Sequence, residues 1–426
     1  MTSMAPELVR GAHLPDPSTD PGHAAKVDGF LRAMVLVTIF GQRFALPAGS
    51  SLQVPLVQVL LLVLLVDGVT RGVLVFRTRM TIAYLVLIAA LLGATLVHSL
   101  LGFDVHPTSV GYLVTLYLPM ICKLSVDRPR EYFERMLAYF VRVMTWLGAG
   151  GLALFLAQFG GVAYRDWLGL VVPAKFLQQG YNTSYGITFG SSIFRNNGVF
   201  FLEASFCSSF LAVAFLAALF LRERPWRLAL FAVCMVSTVS GNGIVIVLVA
   251  IATMLLMGNI ATLGRATLPL VAVMAVGAAT PVGTALLARV TEGSRGNSST
   301  SLRMIIPYQL FIPRILESGP LLLLGHGAGS IDDSIQRADL IYPLVPKMLY
   351  DYGAVITLGF LVFVFAALRS RQAWLPITVA MVVTWIYVGA GLLDTTQVSL
   401  LLLFAAWWPT TSAGDVPERA GPVPTS

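Results

Sequence analysis

Long apolar runs, separated by short gaps that carry charge, leave this chain few choices of fold. About 20 mainly apolar residues in a row is the length a helix needs to cross a bilayer. In hydrocarbon only helices and closed barrels satisfy their own backbone polar groups. Such runs fall near residues 29–47, 52–70, 80–102, 108–124, 136–160, 198–221, 227–241, 243–260, 267–288, 343–368, 373–393 and 397–409. With 57% hydrophobic and 12% charged residues and a mean hydropathy of +0.80, an ordinary soluble domain is excluded. The spacing predicts an all-α polytopic membrane protein of about twelve transmembrane helices. Residues 28–409 form one transmembrane domain between a disordered cytoplasmic tail over 1–27 and a second cytoplasmic tail over 410–426. The pair around Ser240, Gly241, Asn242 and Gly243 is short enough to be two half-depth helices meeting at a polar turn.

Charge sets the orientation, because cytoplasmic gaps attract Lys and Arg. Gaps holding Arg71, Arg77 and Arg79, then Lys123, Arg128, Arg130 and Arg135, then Arg222, Arg224 and Arg227, then Arg265, then Arg369 and Arg371, alternate with gaps that should be poor in cations. Both termini are then inside, and two long loops, about 161–197 and 289–342, face out. Yet ten of the 28 Lys and Arg residues stand against this bias: Arg165, Lys175, Arg195, Arg289, Arg295, Arg303, Arg314 and Arg337 in the two loops, with Arg43 and Lys347 at outward span ends. Cations retained at that surface point to an anionic ligand, and a lipid-linked phosphate is the obvious candidate.

The sequence pI of about 9.4 reflects the same charge bias, and no nucleic acid is expected. Cys122, Cys207 and Cys234 all lie in apolar runs and read as packing residues. Residues 1–27 lack the charged-then-apolar order of a cleaved signal peptide. There is no Walker lysine loop, no GxGxxG after a strand and no soluble domain to hold a nucleotide sugar. The donor therefore arrives by lipid, and neither cofactor nor metal is expected.

Four constellations carry the candidate chemistry. Phe194 to Glu203 is where the first long loop re-enters the membrane. Arg195 sits at the interface, and a helical reading puts Glu203 about 12 Å deeper. An ionisable group inside a span is a functional candidate by default, against the plain alternative of a snorkelling arginine and a satisfied glutamate. In the second loop, Leu302 to Arg314 is too polar and proline-broken to span, and fits an interfacial segment. On a continuous helix Arg303 and Arg314 would share one face, although Pro307 and Pro313 oppose continuity. Guanidinium forks suit phosphate oxygens and can stabilise a leaving pyrophosphate without a metal; plain adhesion to anionic headgroups is the alternative. The run Gly325-His326-Gly327-Ala328-Gly329-Ser330 is read either as a phosphate or sugar cradle at Gly325 and Gly327, with His326 as a base, or as an ordinary glycine turn. Asp332 and Asp333 follow it without a companion metal-ligand motif. Last, Lys347 and Asp351 are spaced for an ion pair, Arg43 and Asp394 are candidates to line one cavity, and His98 and His106 read as interfacial.

Taken together, these features resemble the O-antigen polymerase and O-antigen ligase superfamily, membrane-embedded glycosyltransferases of the C type with a large outward loop between late spans. The resemblance covers roughly residues 190–370. It rests on Arg195, Gly198 and Phe200 in an Arg-x-x-Gly-x-Phe re-entry and on Ser298 to Ser301 ahead of Arg303. The Gly325–Ser330 run, the Tyr352-Gly353 span opening and the spacing of Arg314 to Gly325 complete it. It implies transfer of an oligosaccharide from an undecaprenyl pyrophosphate carrier at the periplasmic face of the inner membrane. Arg165, Arg195, Arg303 and Arg314 would bind the substrate pyrophosphate, with a flippase and a chain-length regulator as partners. The ligases carry a His-Asn pair before the Tyr-Gly opening, and Leu340 to Lys347 contains no histidine. That favours polymerase over ligase and leaves the base open among Glu203, His326 and the Asp332/Asp333 pair. A lipid-linked sugar flippase is the rival of another class, but the chain shows no convincing internal repeat.

Overall fold

The computed structural model describes residues 21–49, 53–188, 190–278, 280, 282–286, 301–302, 305–317, 319–331, 342–369, 374–388 and 391–409. These residues are mostly helical. Three helices are long and apolar enough to cross a membrane: α3 (Thr78–Leu100), α5 (Pro129–Phe159) and α13 (Leu344–Ala367). Others are shorter: α2 (Leu56–Thr70), α7 (Ala204–Phe220), α8 (Pro225–Ser237), α9 (Gly241–Leu256), α14 (Leu375–Val383) and α15 (Thr395–Leu401). The remaining helices are α1 (Pro21–Phe40), α4 (Pro107–Tyr117), the short α6 (Trp167–Val171), α10 (Ile260–Ala278), α11 (Ile306–Glu317) and α12 (Gly319–Leu324).

Starts and stops follow local chemistry. Proline, preset for the first helical turn and needing no N–H there, opens α4, α5, α8 and α14. Asp166, Ser240 and Asp394 cap α6, α9 and α15 through their side-chain oxygens. α1 begins at Pro21, which places helix over part of the segment read above as a disordered tail; the rest of that tail and residues 410–426 lie outside the described residues.

α7 is the centre. Its small and apolar side chains, Ser208, Ser209, Ala212 and Ala214 among them, are buried around the whole circumference, as expected of a helix with no polar face. It packs against α5, α8 and α9. Gly243 on α9 allows the closest of these approaches, since a Cβ there would meet the Ser208 carbonyl oxygen at 2.5 Å. Cys122, Cys207 and Cys234 are free and buried, in agreement with the packing role. α3 is the opposite case. Ile82, Leu85, Val86, Leu92 and Leu96 leave one apolar face exposed.

Two features depart from a purely helical reading. Ala45–Pro47 (β1) pairs antiparallel with Gln53–Pro55 (β2), so the first apolar run ends its helix at Phe40 instead of continuing to residue 47. Leu74–Phe76 (β3) pairs antiparallel with Cys122–Leu124 (β4). Arg77 follows β3, and its guanidinium donates to the carbonyls of Ala367 at the end of α13 and of Met120, where the ends of helical turns present unsatisfied acceptors. The short α8 and α9 meet at Ser240, as the sequence indicated.

The second departure lies inside α13. Gly353 has φ 74° and ψ 175°, which breaks the helix into two pieces. Gly325 (φ 83°) packs directly against this break. A Cβ on Gly325 would sit 2.6 Å from the Asp351 carbonyl oxygen and from the Gly353 nitrogen; one on Gly353 would sit 2.3 Å from the Leu323 carbonyl oxygen. Two motifs read separately in the sequence thus form one backbone-to-backbone contact.

Candidate functional site

The first candidate site is built where the loop after α5 returns towards α7. Residues 195–203 are not helical, which corrects the depth estimate for Glu203. The chain turns instead through Asx-type bonds: the Gly198 N–H donates to Asn196 Oδ1 at 3.0 Å, and the Val199 N–H to Asn197 Oδ1 at 3.2 Å. Gly198 (φ 61°) and Val199 (φ 66°) are both left-handed. For a β-branched valine that conformation is strained, and such strain concentrates at functional sites.

Arg43 and Asp166 hold this turn. The Arg43 guanidinium grips Asp166 through two bonds of 2.7 Å, and its Nη1 also donates to the Val199 carbonyl at 3.0 Å. Thr183 Oγ1 donates to the same carboxylate at 3.1 Å. The Arg43 hydrogen bonds, the largest influence, hold the Asp166 carboxyl below the usual carboxylate value despite partial burial. Asp166 escaped the sequence reading, although it is the sole acid in the 161–197 loop among three cations. Arg43 was expected to share a cavity with Asp394. It is spent on Asp166 instead, and Asp394 accepts from the Thr396 and Gln397 N–H groups at the start of α15.

With Asp166 taken, Arg165 and Arg195 are left as the cations of an open recess of about 500 Å³ including the solvent at its mouth. Gly151, Phe155 and Gln158 of α5, Tyr164, Trp167 and the turn from Arg195 to Val199 line it. Arg195 commits its Nε to the Gly186 carbonyl at 3.0 Å and lies over the Tyr185 ring. Neither Arg165 nor Arg195 has a carboxylate partner among the described residues. Tyr164 donates to the Thr183 carbonyl at 2.6 Å and accepts from Asn197, and burial raises its hydroxyl pKa. Gly151 leaves room for the turn, since a Cβ there would meet Asn196 Oδ1 at 2.7 Å.

Glu203 stands at the N-cap position of α7, outside the recess lining. Its Oε1 accepts from the Asn182 N–H at 3.3 Å and its Oε2 from the Ser205 hydroxyl at 3.1 Å. This position ties the loop to the helix.

The second candidate site surrounds His326. The cradle role fails for the N–H groups of Gly325 and Gly327. They donate to the Leu321 and Asp351 carbonyls at 2.7 and 3.0 Å, and the His326 N–H donates to the Tyr350 carbonyl at 2.8 Å, so none is free for a phosphate. The run serves to satisfy the carbonyls freed where α13 breaks. The His326 ring stacks on Tyr350 at 4.1 Å, with Nδ1 3.3 Å from the Tyr350 carbonyl oxygen. A carbonyl only accepts, so Nδ1 carries the proton and Nε2 keeps its lone pair. Burial first, with His98 and Arg314 adding to it, pulls this imidazole below its ordinary pKa. His98 is itself buried in the protein, its Nε2 3.0 Å from the Gly325 carbonyl oxygen. Arg314 is exposed on α11, which buries Phe311 and Ile315 in a cluster with Tyr350. Arg303, Asp332 and Asp333 lie outside the described residues, and α11 starts only at Ile306. Lys347 and Asp351 form the expected ion pair at 3.4 Å, both buried. No grouping of three or more metal-ligand side chains occurs among the described residues.

No protein-family model and no curated protein matches this chain. What the fold defines is a mostly helical protein with three helices able to cross a membrane and two sites that retain arginine.

Proposed function

We propose that this chain is a multi-pass inner-membrane polysaccharide polymerase with about twelve spans, both termini in the cytoplasm and the two long loops outside. It joins undecaprenyl-pyrophosphate-linked oligosaccharides in exopolysaccharide or O-antigen assembly. The acceptor hydroxyl gives its proton to a base, its oxygen bonds to the donor's anomeric carbon, and the bond from that carbon to pyrophosphate breaks, releasing undecaprenyl pyrophosphate. One displacement inverts the anomeric centre. The observation that carries this reading is the pair Arg165 and Arg195, left unneutralised at a recess whose one carboxylate is held by Arg43. Guanidinium groups placed there stabilise the charge growing on a leaving pyrophosphate. Arg314 near His326 supplies a second cationic position, which suits a reaction between two lipid-linked chains. The lone pair on His326 Nε2 makes it the preferred base over Glu203, whose two oxygens already accept from the loop at Asn182 and from α7 at Ser205.

Transport of a lipid-linked sugar has one observation in its favour, the broken helix at Gly353, since transporters place substrates at such breaks. Here the Tyr350 and Asp351 carbonyls at the break are taken by the His326 and Gly327 N–H groups, which leaves the break closed. The deciding experiment expresses Arg165→Ala, Arg195→Ala and Arg314→Ala in cells lacking the native chain. Each variant should reach the membrane and yield single repeat units in place of polymer. Normal polymer length in Arg195→Ala and Arg165→Ala would remove the pyrophosphate role.

A further inference from the structure

The short helix α6 hides none of its own side chains. Leu170 and Val171 are 64% and 82% exposed, and Trp167 is 47% exposed. A loop in water has no reason to display such a tip, because surface apolar clusters mark contact with another phase or partner. The tip is held out deliberately. Asp166 caps α6 through the Gly169 N–H and is itself fixed by the two Arg43 bonds and by Thr183. Gln178 and Leu177 at its far side are tied to Arg43 and Phe44.

Two further observations say what covers it. Along the chain, exposed apolar side chains run on from α5, a helix long and apolar enough to cross a membrane, through Leu156, Phe159 and Val162 to Trp167. Arg165 and Lys175, both exposed, bracket the tip, and an indole lies between them. Aliphatic side chains flanked by Trp and by cations match the layering of a bilayer, with acyl chains below and anionic headgroups above. A protein partner would find a five-residue helix too small a platform, and the cations at its two ends favour headgroups.

We propose that Val162–Phe176 inserts into the outer leaflet of the membrane, with Leu170 and Val171 among the acyl chains. Trp167 lines the recess that holds Arg165 and Arg195. The inserted helix is therefore the recess's membrane-side wall, and the recess opens sideways into the leaflet. A polyprenyl pyrophosphate then reaches the arginines without leaving the bilayer. The insertion stands on its own; the use of that side opening rests on the polymerase reading.

The test uses the full chain in phosphatidylethanolamine–phosphatidylglycerol vesicles, with a nitroxide on Leu170→Cys, Val171→Cys or Ser192→Cys, the native cysteines being buried. Collisions with oxygen, which partitions into lipid, are compared with those of a water-soluble nickel chelate. At 170 and 171 the oxygen-to-chelate ratio should exceed that at Ser192 at least several-fold, and the excess should shrink in vesicles without the anionic lipid. Equal ratios at all three positions, or spin–spin broadening that reveals a second copy over α6, would overturn the insertion. Lipid-embedded probes in a chain that fails to polymerise would support this inference and count against the polymerase reading alone. Water-exposed probes in a chain that polymerises would do the reverse.

Discussion

Arg195 and Arg43 carry the same charge, yet the fold gives them different tasks. Arg43 is buried and paired with Asp166, while Arg195 keeps its terminal nitrogens for the recess. Arg195→Lys should keep charge but lose the fork, and so recover little of the loss expected in Arg195→Ala, on the order of 100-fold in turnover; rescue to near wild-type rate would deny that geometry matters. The Arg43 pair makes a separate prediction about stability. Removing one partner of a buried charge pair costs about 2–5 kcal/mol, and the low end applies because Asp166 is partly exposed. Its folded pKa is depressed, so the unfolded chain takes up the proton first. The stabilisation is then complete above the unfolded value near 3.8 and is lost as pH falls through the lower folded one. In detergent, the midpoint of thermal unfolding should drop more steeply between about pH 5 and about pH 3 for wild type than for Asp166→Asn. Equal slopes would mean the pair contributes nothing. His326 is neutral at pH 7 because its pKa lies below the ordinary 6.5, so the acid limb of activity should fall below that value. His326→Gln should abolish turnover at every pH, and a variant that retains the wild-type profile would return the base to Asp332 or Asp333.

At the scale of elements, the break in α13 should matter more than its position in an apolar run suggests. Gly353→Ala forces a Cβ into the Leu323 carbonyl and a left-handed φ on alanine, whereas Gly359, on the same helix, has open space around it. Thermal unfolding should show Gly353→Ala strongly destabilised or unfolded, and Gly359→Ala unchanged or slightly stabilised, since alanine is the better helix former. Equal midpoints would deny that the glycine run and the break are one structural unit. This contrast also marks what the sequence revealed. Apolar runs marked the mostly helical character and the three long helices, because that signal is local. The two three-residue strand pairs were hidden, since their hydrogen bonds join segments whose residues look like span ends. Arg43 and Asp166 are 123 positions apart, and nothing near either names the other. Gly325, Gly353 and His326 were all visible as unusual residues. Their contact was not, so N–H groups spent on backbone carbonyls were mistaken for a phosphate cradle. Arg165 and Arg195 were legible because charge bias is a property of position along the chain and survives without knowledge of the fold.

For the whole molecule, the proposal joins a central buried helix, α7, a loop held by the Arg43–Asp166 ion pair, the Arg165 and Arg195 recess and Arg314 near His326 on one face of a membrane. Cysteines placed at Ser192 and in the Arg222–Arg227 gap should label from opposite sides in intact cells, and labelling from the same side would overturn the topology. The most direct test of the central claim is a reconstituted reaction. Purified chain is given undecaprenyl-pyrophosphate-linked repeats in EDTA, without nucleotide sugar, and both polymer and free undecaprenyl pyrophosphate are measured over time. The account predicts that the two appear in step, with the new linkage inverted, and that both vanish in Arg195→Ala. Polymerisation that stops on chelation and returns with magnesium or manganese, or that proceeds unchanged in Arg195→Ala, would contradict it.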